Sequence, residues 1–146
     1  MKKYTLLTVV FAFLFLSACQ SGTANSGSPN TGTTGTQVKV DGGTYIDLTA
    51  NELNSLMDKK DFVLVNVHIP FDGNLPKTDL SIPYDTITQD LAKLPADKNA
   101  KIVLYCRSGH MSSIAAKELV KLGYTRISEL AGGMAAWEQA GLTVEK

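Results

Sequence analysis

The sequence is poor in cysteine, in excess charge of either sign and in long apolar runs. Its 146 residues include two cysteines, two histidines and no Cys-x-x-Cys pair, which argues against a dithiol oxidoreductase and against a metal site. Basic and acidic side chains number 14 each, so no basic excess is present to neutralise nucleic-acid phosphates. The longest mainly apolar run spans about eleven residues, Leu6 to Leu16, fewer than the roughly 20 that a membrane-spanning helix needs. We therefore expect no metal, no organic cofactor and no nucleic-acid partner.

Charge is segregated along the chain. Lys2 and Lys3 precede the apolar run, a pattern typical of a secretory signal peptide. The run ends in Leu16-Ser17-Ala18-Cys19, which resembles the bacterial lipobox. This resemblance implies that Cys19 receives a diacylglyceryl group and becomes the first residue after cleavage. An ordinary signal peptide with a cysteine near its end is the alternative. The favoured interpretation is a lipoprotein anchored in the cell membrane on its extracytoplasmic face, periplasmic or extracellular.

A polar tract follows the predicted leader. Residues 20–37 carry no charge and consist almost entirely of Gly, Ser, Thr and Asn, so they cannot bury enough surface to offset chain entropy. We predict a signal peptide over residues 1–19, a flexible linker over 20–40 and one folded domain over 41–146. Without Lys2 and Lys3 the chain has 12 basic and 14 acidic groups, a net charge of about −2 that again disfavours phosphate binding.

The folded part alternates apolar runs with helical patterns. Phe62–Val67 and Ile102–Tyr105 are short runs rich in β-branched residues, typical of strands that are covered on both faces. Further predicted elements are strands at Thr44–Asp47 and Arg126–Leu130, and helices after a Thr49/Glu52 capping box, near Thr86–Leu94, from Ser112 or Ser113 to Leu122, and around Met134–Trp137. This alternation predicts an α/β domain with a mostly parallel central sheet flanked by helices on both faces.

Cys106 has no intramolecular partner if Cys19 carries the lipid. It follows a predicted buried strand and precedes a helix by a short loop that contains Gly109. Such a loop can turn several backbone N–H groups toward one point, and the helix N-terminus adds partial positive charge. Both effects favour a thiolate and would stabilise a persulfide anion. A cysteine buried as a small apolar residue is an equally good interpretation of its position alone.

Two motifs resemble those of the rhodanese family, single-domain sulfurtransferases. Cys106-Arg107-Ser108-Gly109, followed by Ser112, resembles the family's active-site loop, and Leu130–Trp137 with Ala140–Leu142 is similar to its carboxy-terminal signature. The resemblance implies a rhodanese-like fold with Cys106 as nucleophile. In such enzymes the cysteine takes sulfur from a donor such as thiosulfate, a persulfide or a polysulfide. A thiol or cyanide then accepts the sulfur from the cysteine persulfide.

The same resemblance implies that the residues after the cysteine bind the donor. The backbone amides of the loop would form an anion cradle, contributed by Arg107, Ser108, Gly109, His110 and Met111. The Arg107 side chain either attracts an anionic donor or pairs with a surface acid. His110 either tunes the charge at the mouth of the site or is an exposed spacer.

The sequence departs from the family pattern at several positions. Met111 stands where many members have a second arginine, Asn66 and His68 replace an aspartate and an arginine, and residues 69–84 keep only Ile82-Pro83 of the usual pattern. These departures motivate the alternative of a non-catalytic rhodanese-fold module that binds or senses sulfur compounds at the cell surface. A Cys-x5-Arg phosphatase or arsenate reductase is disfavoured, because residue 112 is serine and provides no arginine clamp for an oxyanion.

Overall fold

The structure, a computed structural model, describes residues 34–146. The predicted signal peptide, the lipidation site Cys19 and the linker as far as residue 33 lie outside the described residues. Within residues 34–146, no helix is both long and apolar enough to cross a membrane.

Among residues 34–146, six strands form one sheet in the order β1-β2-β6-β5-β3-β4. The β1–β2 pair is antiparallel, and the four remaining pairs are parallel, as the alternating sequence pattern predicts. The strands are β1 Thr36–Val40, β2 Gly43–Leu48, β3 Val63–Asn66, β4 Leu80–Ser81, β5 Ile102–Tyr105 and β6 Ile127–Leu130.

In the described part of the chain, three helices cover the two faces of this sheet: α1 Ala50–Met57, α2 His110–Lys121 and α3 Gly133–Gln139. Helix α2 packs on one face through Ala115 and Leu119, which belong to one apolar core. Helices α1 and α3 pack on the other face, where Leu53 and Trp137 share a second core. The prediction of helices on both faces is confirmed.

Helix α1 begins as the capping-box pattern predicts. The backbone N–H of Glu52 donates to Thr49 Oγ1 over 3.3 Å, and the N–H of Thr49 donates to Glu52 Oε2 over 2.8 Å, so two otherwise unpaired donors are satisfied reciprocally. Leu53 and Met57 are buried, but Leu56 remains 36% exposed. Leu53, Leu56 and Met57 have the i, i+3, i+4 spacing that predicts one apolar helix face, but only two of the three are buried.

The predicted linker over residues 20–40 extends too far toward the C-terminus, because Thr36–Val40 forms β1. In this strand Val38 and Val40 alternate with Gln37 and Lys39, the period of a strand with one covered face. Both valines pack against the core beneath α2. The folded part therefore begins before residue 41.

The predicted helix near Thr86–Leu94 is wrong. The segment contains turns, in which Gln89 N–H bonds to the carbonyl of Thr86, and a single 3-10 turn over Leu91–Lys93. Pro83 and Pro95 bound the segment, and proline lacks the N–H that a continuing helix needs.

Candidate active site

Cys106 lies in the loop between the end of β5 and the start of α2. Its side chain is 1% exposed, and its Sγ accepts the backbone N–H of Gly109 over 3.1 Å. Ser112 Oγ lies 3.5 Å from the same sulfur. The sulfur is therefore enclosed by its own loop and by the first turn of α2.

The loop closes around the sulfur because Gly109 has a φ of +90°, a left-handed conformation that suits glycine. Gly109 is also the N-cap of α2, which begins at His110, so Ser112 and Ser113 are not the helix cap that their hydroxyls predicted. Ser112 instead lies within the first turn, fully buried, and its Oγ reaches the Gly109 carbonyl over 3.1 Å.

The predicted anion cradle of residues 107–111 has one amide bonded to the sulfur, that of Gly109. In the described part of the chain, the N–H groups of His110, Met111 and Ser112 make no hydrogen bond to another backbone group, as is usual for the first turn of a helix. These donors belong to the helix N-terminus that follows Cys106. The loop can therefore present additional N–H groups to an anion that approaches the sulfur.

Helix α3 holds the other side of the loop. The N–H of Met134 donates to the carbonyl of Cys106 over 2.8 Å, and the N–H of Ala135 donates to the carbonyl of Arg107 over 3.0 Å. A side chain at Gly133 would place its Cβ 2.3 Å from the Cys106 carbonyl oxygen. The paired glycines of the carboxy-terminal motif thus permit the close approach of α3 to the cysteine loop.

The Arg107 side chain pairs with acids on two other segments. Its Nη1 lies 3.3 Å from Asp72 Oδ2 and 3.2 Å from Glu138 Oε2. A hydrogen bond from Lys146 and, to a smaller extent, the charge of Arg107 lower the pKa of Asp72. Of the two sequence-based interpretations of Arg107, the structure shows the pairing with acids.

The remaining predicted binding residues differ in exposure. Ser108 and His110 are exposed, whereas Met111 is half-buried and packs against the core beneath α2. Residue 111 therefore brings an apolar thioether to the first turn. The other arginine of the chain, Arg126, directly precedes β6. Its backbone carbonyl accepts a hydrogen bond from the N–H of Ile102 at the start of β5, whereas the cysteine loop follows the end of β5.

Asn66 and His68 organise the segment that departs from the family pattern. Asn66 Nδ2 donates to the Gly73 carbonyl over 2.9 Å and to Asn74 Oδ1 over 3.0 Å. Its Oδ1 accepts the backbone N–H of His68 over 2.9 Å. The asparagine is buried, and its three hydrogen bonds hold residues 68–74 against the end of β3.

Sequence reasoning missed Glu129, which lies close to Cys106 through Ser112. Glu129 is 4% exposed, and its Oε2 accepts a hydrogen bond from Ser112 Oγ. Burial raises the pKa of the Glu129 carboxyl to about 7. The available signal was an acidic residue within the predicted strand Arg126–Leu130, which ends at the start of the carboxy-terminal motif.

Comparisons with known proteins agree with this geometry. A family model described as "Rhodanese-like domain" matches residues 49–140, more than half of the chain. The chain therefore belongs to the rhodanese-like domain family. Within residues 34–146, no group of three or more His, Cys, Asp or Glu side chains is placed to hold a metal ion.

Individual relatives support the same assignment. A protein named sulfurtransferase from Allochromatium vinosum is 34% identical over 103 residues, covering 64% of this chain and 94% of that protein. A solved rhodanese-related protein from Thermoplasma volcanium is 25% identical with a TM-score of 0.58, covering 67% of this chain and 95% of that one. A Rhodopseudomonas palustris structure described as a possible tyrosine phosphatase is also 25% identical, with a TM-score of 0.59 and coverage of 68% and 83%.

Proposed function

We propose that the protein is a sulfurtransferase that carries sulfane sulfur as a persulfide on Cys106. The observation that carries this proposal is the placement of the sulfur, which accepts the Gly109 N–H and lies beside the unpaired amides of α2. Backbone donors fixed in this way stabilise a thiolate or a persulfide anion. The sulfurtransferase from Allochromatium vinosum, 94% of which is covered by the match, supports the same role.

The proposed reaction has two displacement steps. In the first, the Cys106 thiolate attacks the outer sulfur of the donor, a sulfur–sulfur bond forms, and the donor's own sulfur–sulfur bond breaks with its electron pair leaving on sulfite or on a thiolate. In the second, a thiolate or cyanide attacks the outer sulfur of the persulfide and restores the Cys106 thiolate. Charge is conserved in both steps, and neither step requires a metal or an organic cofactor.

The side chains around the loop favour a donor of low charge. Arg107 is paired with Asp72 and Glu138, and residue 111 is an apolar methionine. Neither position therefore supplies a free cation for the sulfonate group of thiosulfate. We expect a persulfide or a polysulfide to be a better donor than thiosulfate.

The same departures favour a second candidate, a rhodanese-fold module that binds or senses sulfur compounds without turnover. Transfer of sulfur to cyanide or to a thiol separates the two functions. For the enzyme we expect turnover by the wild type and none by Cys106→Ser, because the serine hydroxyl cannot form a persulfide. Equal transfer rates in both proteins would contradict the proposal, and absence of turnover with every donor would favour the binding module.

We further propose that the domain is attached to the extracytoplasmic face of the cell membrane through a lipid on Cys19. The support is the charged and apolar leader, the lipobox-like residues before Cys19 and the polar tract after it. Two acyl chains on one residue are sufficient for stable membrane attachment, whereas one chain gives only marginal binding.

A further inference from the structure

An acidic pair, buried Glu129 and half-buried Asp47, lies under the cysteine loop, between the sheet and α2. Glu129 of β6 is aligned with Asp47 of the neighbouring strand β2. Ser112 Oγ, from α2, donates to Glu129 Oε2 and also lies 3.5 Å from Cys106 Sγ. One hydroxyl thus connects a buried carboxyl group to the sulfur. The two proposed displacement steps make no use of this carboxyl group.

The Ser112 hydroxyl can donate only one hydrogen at a time. If Glu129 is ionised, the hydroxyl hydrogen is directed to the carboxylate, and an oxygen lone pair faces the sulfur, an arrangement that suits a neutral thiol. If Glu129 is protonated, its O–H can donate to Ser112 Oγ, and the hydroxyl hydrogen is released to the two other acceptors beside it, the Gly109 carbonyl at 3.1 Å and the Cys106 sulfur at 3.5 Å. That second arrangement suits a sulfur anion, since hydrogen bonds to charged acceptors are the stronger ones.

The surroundings of Glu129 set the pKa of its carboxyl group near neutral pH. Burial raises the pKa of Glu129 to about 7. The hydrogen bond from Ser112 lowers this pKa, the charge of Asp47 and a hydrogen bond with Asp47 raise it, and the charge of Lys117 lowers it. Tyr45 is the other titratable group that faces Glu129 from β2. From α2, Glu129 is faced by its hydrogen-bond partner Ser112.

We propose that Glu129, acting through Ser112, is a positioning residue that takes up a proton when the Cys106 sulfur becomes an anion. The inference rests on the proposed function, in which Cys106 carries the transferred sulfur. In the proton step, the thiol hydrogen passes to Ser112 Oγ while the serine hydrogen passes to Glu129 Oε2, so the number of protons is unchanged. Because Arg107 is paired with acids and residue 111 is methionine, this proton compensates for the absence of a free cation beside the sulfur.

The sign of the coupling follows from the charges. An ionised Glu129 brings negative charge near the sulfur and competes with it for the hydrogen of the Ser112 hydroxyl, so it disfavours the sulfur anion. Two groups coupled in this way titrate as a pair, in two steps. The reactivity of Cys106 should therefore rise with pH in two steps in the wild type and in one step, at lower pH, in Glu129→Gln.

The test measures the reaction of Cys106 with iodoacetamide as a function of pH. The full-length chain is used in detergent, and the Cys106 peptide is quantified by mass spectrometry so that Cys19 does not contribute. We expect Glu129→Gln to accelerate labelling about tenfold near pH 6.5. The matched control is Glu118→Gln, which alters a glutamate of α2 that pairs with Lys121 at the surface and should leave the curve unchanged. Superimposable curves for wild type and Glu129→Gln would overturn the proposal.

A second variant tests whether the coupling passes through the hydroxyl. In a Ser112→Ala background, the effect of Glu129→Gln should fall well below tenfold, because contacting residues give non-additive effects. An undiminished effect would overturn the role of Ser112.

A measurement on the unsubstituted protein does not depend on how the variants fold. The ¹³C resonance of the Glu129 carboxyl should titrate near pH 7 in two steps, and in one step after Cys106 has been alkylated. Titration near the ordinary value of about 4.3 would overturn the proposal. None of these measurements requires sulfur transfer, so absence of a Cys106 persulfide together with a coupled titration would contradict only the proposed function.

Discussion

The residues around Cys106 differ in how well sequence patterns predict them. Cys106 and Gly109 can be predicted from sequence because both belong to one short loop motif. The pairing of Arg107 depends on Asp72 and Glu138, which lie about 30 residues away on either side. The burial of Glu129 depends on the alignment of β2 with β6. These non-local contacts carry no signal within a short stretch of sequence.

Met111→Arg should increase the use of thiosulfate. The arginine stem can stay on the core surface that Met111 contacts, while its guanidinium extends to solvent. A charge-assisted contact contributes about 1.5–3 kcal/mol, so kcat/KM for thiosulfate should rise roughly ten- to a hundredfold. Activity with a neutral donor should change less. Both donors are measured with both proteins over a salt series, since a charge effect must shrink as ionic strength rises.

The matched control for this variant is Met111→Leu, which retains an apolar side chain without adding charge and should retain the donor preference of the wild type. If the wild type already uses thiosulfate as well as the arginine variant does, the expected donor preference is wrong.

At the scale of elements, the site depends on two helices that meet at one loop. Helix α2 contributes Ser112 and the N-terminal amides, and α3 binds the carbonyls of Cys106 and Arg107. The apolar runs of β3 and β5 and the capping box of α1 are local signals, and these elements are where the sequence places them. Strand β1 was predicted as linker, because the polar composition outweighed the weaker signal of its alternating valines. The turns after Tyr84 were predicted as a helix, because the spacing of apolar residues outweighed the signal of the flanking prolines.

Gly133→Ala should disrupt the contact between α3 and the cysteine loop. The added Cβ would lie 2.3 Å from the Cys106 carbonyl oxygen, at a φ of +58°. Left-handed strain alone costs of the order of 1–3 kcal/mol, and the displaced loop should reduce activity by about a hundredfold. Urea unfolding and the sulfur-transfer assay measure the two effects separately.

Gly141→Ala is the control for Gly133→Ala. Gly141 has a similar φ of +78°, but a Cβ there would contact nothing within 4 Å. We expect it to lose a similar amount of stability from strain while it retains activity. Equal activity losses in the two variants would show that the α3 contact does not position the loop.

At the scale of the whole molecule, the proposed arrangement is a catalytic domain attached to a membrane surface by a polar linker and a lipidated cysteine. The cysteine loop follows the end of β5, and α3 follows the end of β6, so the parallel sheet places both at the carboxyl ends of its strands. Strand β1 is an edge strand of the sheet, beside β2. Because β1 begins at Thr36, the linker available between the anchor and the domain is shorter than the predicted span of residues 20–40.

Cys19→Ser should abolish lipidation, because the acceptor thiol is absent. The expected result is an uncleaved or mislocalised precursor that no longer incorporates radiolabelled palmitate, with the wild type labelled in parallel. A Cys106→Ser control should incorporate the label as the wild type does. Equal labelling of wild type and Cys19→Ser would contradict the lipoprotein assignment.

The central claim is that Cys106 carries the transferred sulfur, and the mass of the Cys106 peptide tests it most directly. After exposure of the protein to a persulfide or polysulfide donor, this peptide should gain one sulfur atom and lose it when a thiol acceptor or cyanide is added. The same treatment of Cys106→Ser should leave the corresponding peptide unchanged. A wild-type Cys106 peptide that stays unmodified while sulfur is transferred to the acceptor would contradict the account.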